Sequence, residues 1–352
     1  MNKVLKFFKE NSSKNNPQMI HVYGWQKEYD VVLRPSICKY LFEDLVINEN
    51  IASINNGNRD GRIKPKYYIT VHDTGDSAKH HTAKFWSDTV KNEYWEEGPY
   101  GASFQYVVGN DGIYHQIPDN EIAYHAGDST KFDYELYDTM VMGNNQHPVV
   151  TISTDGYYMV DGVKTIIKAP RAYKEKDGVV VFDRVATTSD LNSQGVLCKC
   201  INGKYYIGET YFNQTYELIA NRGGNNNSIG IESCINEGTD IHYTWQLTAK
   251  LVAKLLKDNN LTFDDVKQHH YFSGKNCPQT MRMNGLWDYF MSLVKVEYQV
   301  LLYKEEGYKI ELVCDDKNVL PNGRVINDIK SKIKYIIKVT KDNKEENIEI
   351  EY

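Results

Sequence analysis

The sequence has no run of about 18 consecutive apolar residues, so no membrane-spanning helix is expected. It lacks a cysteine framework: six cysteines, at 38, 198, 200, 234, 277 and 314, are too sparse and irregular for a small disulfide-stapled domain. It also lacks a positive excess. With 41 Lys and Arg against 47 Asp and Glu, the formal net charge is −6, which argues against a nucleic-acid partner, since that usually demands a basic face. The stretch Met1–Glu10 is too charged and too poor in apolar residues for a secretory signal. No internal repeat is convincing.

What is present reads as a soluble globular chain. At 352 residues, with 41% hydrophobic and 25% charged residues, two or three domains are expected. Tyrosine is abundant at 27 residues, which either sugar stacking or a compositional bias of the source explains. Residues 1–50 carry no usable motif, beyond a short strand and a helical turn within Tyr29–Val46. Asn48–Pro65 reads as a surface loop leading into a strand Tyr67–His72. Asp76 or Ser77 is placed to cap a helix running to Val90, with His80 and His81 on its surface. The runs Ser103–Val108 and Ile113–Ile117 flank Gly109-Asn110-Asp111-Gly112 and form a hairpin. Alternating stretches with Asp-Gly turns between residues 134 and 222 imply a small β-rich unit, in which Cys198 and Cys200 share one face of a strand. Ser228–Ile235 reads as a central strand, and Cys234 as a buried core thiol. A helix starts at Thr244, with Leu247, Leu251, Val252, Leu255 and Leu256 at helical spacing. Thr262 and Asp265 open a short helix that delivers His269, and a further helix follows Pro278. From Tyr298 onward the alternation, including Tyr298–Tyr303, implies a β module.

The chemistry concentrates in His269-His270-Tyr271-Phe272-Ser273-Gly274-Lys275-Asn276-Cys277-Pro278. An imidazole and a thiol eight positions apart suit Zn²⁺, which takes nitrogen and sulfur at tetrahedral geometry. A third ligand is needed, and His72 at the end of Tyr67–His72 is the best candidate. The motifs V-H-x-T-G, A-S-F-x-Y-V-V-x-x-D-G, A-Y-H-A-G, N-S-I-G-I-E and H-H-x4-K-x-C-P occur in that order. Together they resemble the zinc N-acetylmuramoyl-L-alanine amidases, a family that includes phage lysozyme-type amidases and peptidoglycan recognition proteins.

That resemblance covers residues 50–133 and 223–296. It implies an α/β fold with a mixed central β-sheet flanked by helices, interrupted by a β-rich insertion at 134–222. An N-terminal extension (1–50) and a small C-terminal β module (297–352) complete the expected organisation. The insertion either frames a substrate groove or decorates the fold, and the C-terminal module either binds the wall or a partner, or is structural. One Zn²⁺ is expected on His72, His269 and Cys277; His270 is the rival for His269, but the family places its ligand at the first histidine of such a pair. A carboxylate on an apolar strand is costly to bury, so Glu232 is expected to face a polar cleft and transfer protons. Some relatives use a tyrosine for this, and Phe104 stands at that position here, which strengthens Glu232. Lys275 is expected to stabilise the oxyanion, and the resemblance implies that His125 contacts substrate or assists electrostatically. Gln105 stands where many relatives have histidine. The implied activity is hydrolysis of the amide between N-acetylmuramic acid and L-alanine in bacterial cell-wall peptidoglycan. The site of action is then the cell wall or the extracellular space, reached by lysis, by another export route, or with a leader not present in this sequence. The negative charge gives no attraction to an anionic wall, so binding there needs specific contacts. Three rivals stand beside this reading: a non-catalytic recognition protein, a zinc peptidase cutting within the stem, and a structural zinc site completed by Asp73 or His270.

Overall fold

The structure is a computed structural model that describes every residue except 1, 14–15, 55, 60, 93–101, 128–135, 147, 177–178, 195, 211–223, 274 and 352. Its centre is a six-stranded mixed sheet in the order Val266–Gln268, Tyr68–Asp73, Ser228–Ser233, Tyr106–Gly109, Gly112–His115, Ile47–Glu49. The first four strands are parallel, the hairpin reverses the fifth, and Ile47–Glu49 lies parallel to that one. Parallel strands are covered on both faces and so read as nearly unbroken apolar runs. Successive side chains point to opposite faces. Ile69, Val71, Ile229 and Ile231 therefore join one core with Trp245, Leu251, Phe290 and Leu293 of two long helices. Thr70, His72, Gly230 and Glu232 point the other way.

The helix Ile241–Asp258 begins three residues earlier than Thr244, because the Asp240 carboxylate accepts the Tyr243 N–H and caps it. The helix after the His72 strand spans Ala83–Asn92 and is not capped by Asp76 or Ser77. Its first N–H groups, from Ala83 and Lys84, donate instead to Asp111 of the hairpin turn, at 3.1 and 2.9 Å. Asp76 holds the preceding turn, accepting from Ala78 N and pairing with His81 Nδ1 at 2.6 Å. Thus His80 and His81 precede the helix, and the His81 ring stacks on Phe85. A 3-10 turn at Phe263–Asp265 and the strand Val266–Gln268, rather than a helix, deliver His269.

Tyr298–Tyr303 is also not a strand. It is the last part of a 19-residue helix, Trp287–Glu305, which buries Leu293, Val296, Glu297, Val300 and Tyr303 at three- and four-residue spacing. The strands beyond it, Lys309–Cys314, Lys334–Lys341 and Lys344–Glu351, form an antiparallel sheet. The first helix, Asn2–Glu10, packs Val4, Leu5 and Phe8 into the same core as Tyr335, Ile337 and Val339. The two ends of the chain therefore share one core. Buried Lys250 and Glu297 pair at 2.7 Å, and Glu297 also accepts Leu41 N–H at 2.9 Å, which ties both long helices to the N-terminal segment.

The insertion is β-rich, with the sheets Val196–Ile201/Lys204–Thr210/Tyr137–Met142 and Val163–Lys168/Tyr157–Val160/Val150–Ile152, and the hairpin Ala172–Lys176/Val179–Arg184. It has its own core around Tyr158, Leu191 and Ile207. Its expected junctions at 133–134 and 222–223 fall outside the described residues. No helix among the described residues is long and apolar enough to cross a membrane.

Candidate metal centre

Register places the first part of the site. Glu232 lies directly beside His72, and Gln268 beside Val71, so His269 leaves its strand next to His72. Three polar side chains thus stand abreast at the C-terminal ends of three parallel strands, where open α/β sheets place their ligands. The fourth, Cys277, arrives on the loop before the helix Gln279–Met283. One ligand atom from each of His72, His269 and Cys277 lies within 4.8 Å of the others, and all three residues are buried. Cys277 Sγ and Glu232 Oε1 each stand 3.7 Å from His72 Nδ1. His270 is outside this group, and so is Asp73. Among the described residues the group has three members. That count suits a site with an open fourth position better than a closed structural one.

The surroundings lock these groups. Asp73 accepts both the backbone N–H and the hydroxyl of Thr280, at 2.8 and 2.6 Å, and so clamps the His72 strand to the helix behind Cys277. Its own N–H donates to Cys277 Sγ at 3.4 Å. The buried Arg282 guanidinium donates to Asn276 Oδ1 and Gln268 Oε1, each next in sequence to a member of the group. Gln105 is fully buried and does framework work: it accepts Gly230 N–H at 2.7 Å and donates to Glu121 O. Phe104 is packed in a core cluster with Val107 and Cys234. His125 is also buried, with its Nδ1 3.0 Å from His72 Nε2. Its ring covers Gly230, where a Cβ would come within 2.6 Å of it.

Burial dominates the electrostatics. It holds the imidazoles of His72 and His269 well below the ordinary histidine value, and His125 down to about 3. It pushes the Cys277 thiol up, with Lys275 opposing. Glu232 rises to about 8, mainly from burial; Lys275 pulls it down and Asp73 pushes it up. Asp73 itself rises to about 6. Among the described residues, Glu232 Oε2 and His269 Nδ1 are buried without a hydrogen-bond partner. Two imidazole nitrogens and one sulfur within 4.8 Å of one another form a donor set that fits a borderline-soft cation.

Two features escaped the sequence reading. The Asp73 and Arg282 clamps had no sequence signal beyond a charged residue at an otherwise apolar position of a short helix. The hairpin Gln18–Tyr23/Glu28–Leu33, bonded through Tyr23 to Gln279 just past Cys277, lies in a stretch without motifs, where only a short strand within Tyr29–Val46 is expected.

Comparison with known proteins fits this geometry. Residues 62–280 match the family model described as N-acetylmuramoyl-L-alanine amidase. The N-acetylmuramoyl-L-alanine amidase CwlH of Bacillus subtilis (strain 168) is 23% identical over 248 residues, which are 70% of this chain and 60% of that protein. CwlA from the same strain is 32% identical over 91 residues, 25% of this chain and 34% of that protein. The chain therefore spans less than two thirds of these relatives. Among solved structures, the catalytic domain of XlyA is 20% identical, with a TM-score of 0.41 over 71% of this chain and 99% of that one. Since the family model takes in well over half of the sequence and includes all five motifs whole, the chain belongs to the N-acetylmuramoyl-L-alanine amidase family.

Proposed function

We propose that this chain is a zinc-dependent peptidoglycan hydrolase acting at the bacterial cell wall. The bond it cuts is the amide between the lactyl group of N-acetylmuramic acid and L-alanine of the stem peptide. The observation that carries this reading is the convergence of His72, His269 and Cys277, with Glu232 beside His72, in a member of this family. His72, His269 and Cys277 would hold the ion, which supplies Lewis acidity toward the scissile carbonyl and makes water a stronger acid. Glu232 takes the proton of the attacking water and passes it to the leaving amine. Burial raises its pKa to about 8 in the metal-free chain, and a cation held beside it would draw it back toward the carboxylate that accepts a proton. Lys275, close enough to lower the pKa of both Glu232 and Cys277, stabilises the charge that develops on the carbonyl oxygen.

His125 is assigned a positioning role in place of a substrate contact. Its Nδ1 stands 3.0 Å from His72 Nε2 and, in the tautomer where it accepts from His72 Nε2–H, leaves His72 Nδ1, the atom 3.7 Å from Cys277 Sγ, as the metal donor. Partners of this kind set ligand tautomer and orientation. His125→Ala is expected to weaken zinc binding by about 10–100-fold, read by competition with a chromophoric chelator. His125→Gln, which keeps an acceptor, is expected to recover part of the loss. Unchanged zinc affinity in His125→Ala would remove this role.

The test of the activity is mass spectrometry of a defined muramoyl-peptide incubated with the zinc-loaded chain. Free peptide with an L-alanine N-terminus is the expected product. Cleavage inside the stem would overturn the bond assignment, and tight binding without cleavage would turn the reading to a recognition protein.

A further inference from the structure

Trp25 carries an exposed indole on a turn bonded to the segment that follows His72. It is 80% exposed, in the turn of the hairpin Gln18–Tyr23/Glu28–Leu33, outside the stretch matched by the family model. Among the described residues its ring touches no other aromatic or cationic side chain. An apolar ring of this size left in water on a mobile tail would need no account. Here, however, the turn that carries it is fastened to the three segments that leave the site.

The first fastening follows His72. Trp25 N–H donates to Gly75 O at 2.7 Å, Ser77 N–H to Gln26 Oε1 at 2.8 Å, and Lys27 N–H to Ser77 Oγ at 3.0 Å. Gly24 lies so close to Ser77 that a Cβ there would come within 2.4 Å of the serine Cβ. The second follows Glu232: Tyr29 OH donates to Ile235 O, and Lys27 pairs with Glu237 at 2.6 Å. The third follows Cys277: Gln279 accepts Tyr23 N–H at 3.3 Å and donates to Tyr23 O at 2.8 Å. Gly75 is only three residues past His72, so the residue to which Trp25 N–H is bonded lies no more than about 11 Å of backbone from the His72 Cα. The backbone that carries the indole is thus held beside the site with little freedom.

We propose that Trp25 is a substrate-binding residue whose indole stacks on a pyranose ring of the glycan attached to the scissile amide. This rests on the amidase reading and extends it to the sugar side of the substrate. The carbon–hydrogen face of a pyranose packs on a flat aromatic surface without needing charge, and an indole already fixed at its backbone loses little freedom on binding. A net charge of −6 gives no general attraction to an anionic polymer, so neutral stacking contacts of this type supply what electrostatics does not.

The experiment compares wild type, Trp25→Ala and Trp25→Phe, each full length and zinc-loaded, with thermal unfolding as the check on folding. The ligands are a disaccharide-peptide and the free stem peptide. Trp25→Ala is expected to raise KM, and Kd, for the disaccharide-peptide by about tenfold, equivalent to about 1.4 kcal/mol. Trp25→Phe recovers most of that loss but not the indole emission shift that wild type shows on binding. Binding of the free stem peptide is the same in all three. Equal KM in wild type and Trp25→Ala, with cleavage intact, would overturn the stacking role and leave the amidase reading standing. Wild type that neither binds nor cleaves the disaccharide-peptide would sink both. An emission shift with anionic lipid vesicles but not with sugar would overturn the proposal in favour of a membrane surface.

Discussion

Glu232→Gln is expected to lower kcat on a muramoyl-peptide by about 10³-fold, within the span of about 10²–10⁴ for loss of a general acid–base group. Zinc affinity should be nearly kept, because glutamine has almost the same shape and Glu232 is not one of the three clustered ligands. The carboxyl stands beside His72, with one oxygen 3.7 Å from its Nδ1 and the other buried without a partner among the described residues. A purely structural carboxylate would not be left so. The same variant isolates a pH effect in the metal-free chain. Burial raises Glu232 from 4.5 to about 8, so the folded chain holds this proton more tightly than the unfolded chain. Its contribution to stability is complete below about pH 4.5 and is lost as pH rises through about 8. The neutral imidazoles of His72, His269 and His125 act in the opposite sense, losing stability as pH falls below 6.5. Measured as the difference between wild type and Glu232→Gln, chemical unfolding should therefore favour the variant increasingly from pH 5 to 8. The expected change is on the order of a few kcal/mol. A flat difference would mean that Glu232 is ionised in the metal-free fold. Full activity in the variant would remove its role in proton transfer.

The parts of this protein that were legible in the sequence are those in which chemistry or local pattern leaves few choices. His72, His269 and Cys277 could be picked out as a set because their nitrogen and sulfur donors sit in motifs that occur in order, and register sets the two histidines side by side. The hairpin around Asn110-Asp111 declared itself through its turn residues, and the insertion through its alternation. What stayed hidden depends on partners distant in sequence. The helix Ala83–Asn92 starts where it does because Asp111, from the far hairpin, accepts its first N–H groups; no local pattern carries that. Tyr298–Tyr303 read as a strand because its apolar residues also satisfy a period of two over a few positions. Only the continuation from Leu293 through Val300 resolves the helical period. His125 was visible as part of a motif, but its place behind His72 depends on Gly230 leaving room for its ring. The hairpin that carries Trp25 has almost no motif of its own; its meaning lies in the three segments to which it is attached.

Cys277→Ser should have the largest effect on the metal. Loss of an outer partner costs about 10–100-fold in affinity, and loss of the sulfur donor itself should cost at least about 10³-fold. In wild type, zinc at a thousand times its Kd adds about 4 kcal/mol to folding stability, so thermal unfolding should shift upward with zinc and return with a chelator. The variant should show almost no shift at the same concentration. Proton release gives an independent reading of the same site. Burial raises the pKa of both the Cys277 thiol and the Glu232 carboxyl in the metal-free chain, whereas a thiol must lose its proton to bind a metal. Calorimetry in buffers of different ionisation enthalpy should therefore count more than one proton released per zinc in wild type. Glu232→Gln should release fewer than wild type, and any residual binding by Cys277→Ser should release no thiol proton. If Cys277→Ser kept wild-type affinity and proton count, the metal would lie on other ligands. The convergence of His72, His269 and Cys277 would then no longer carry the assignment of the site.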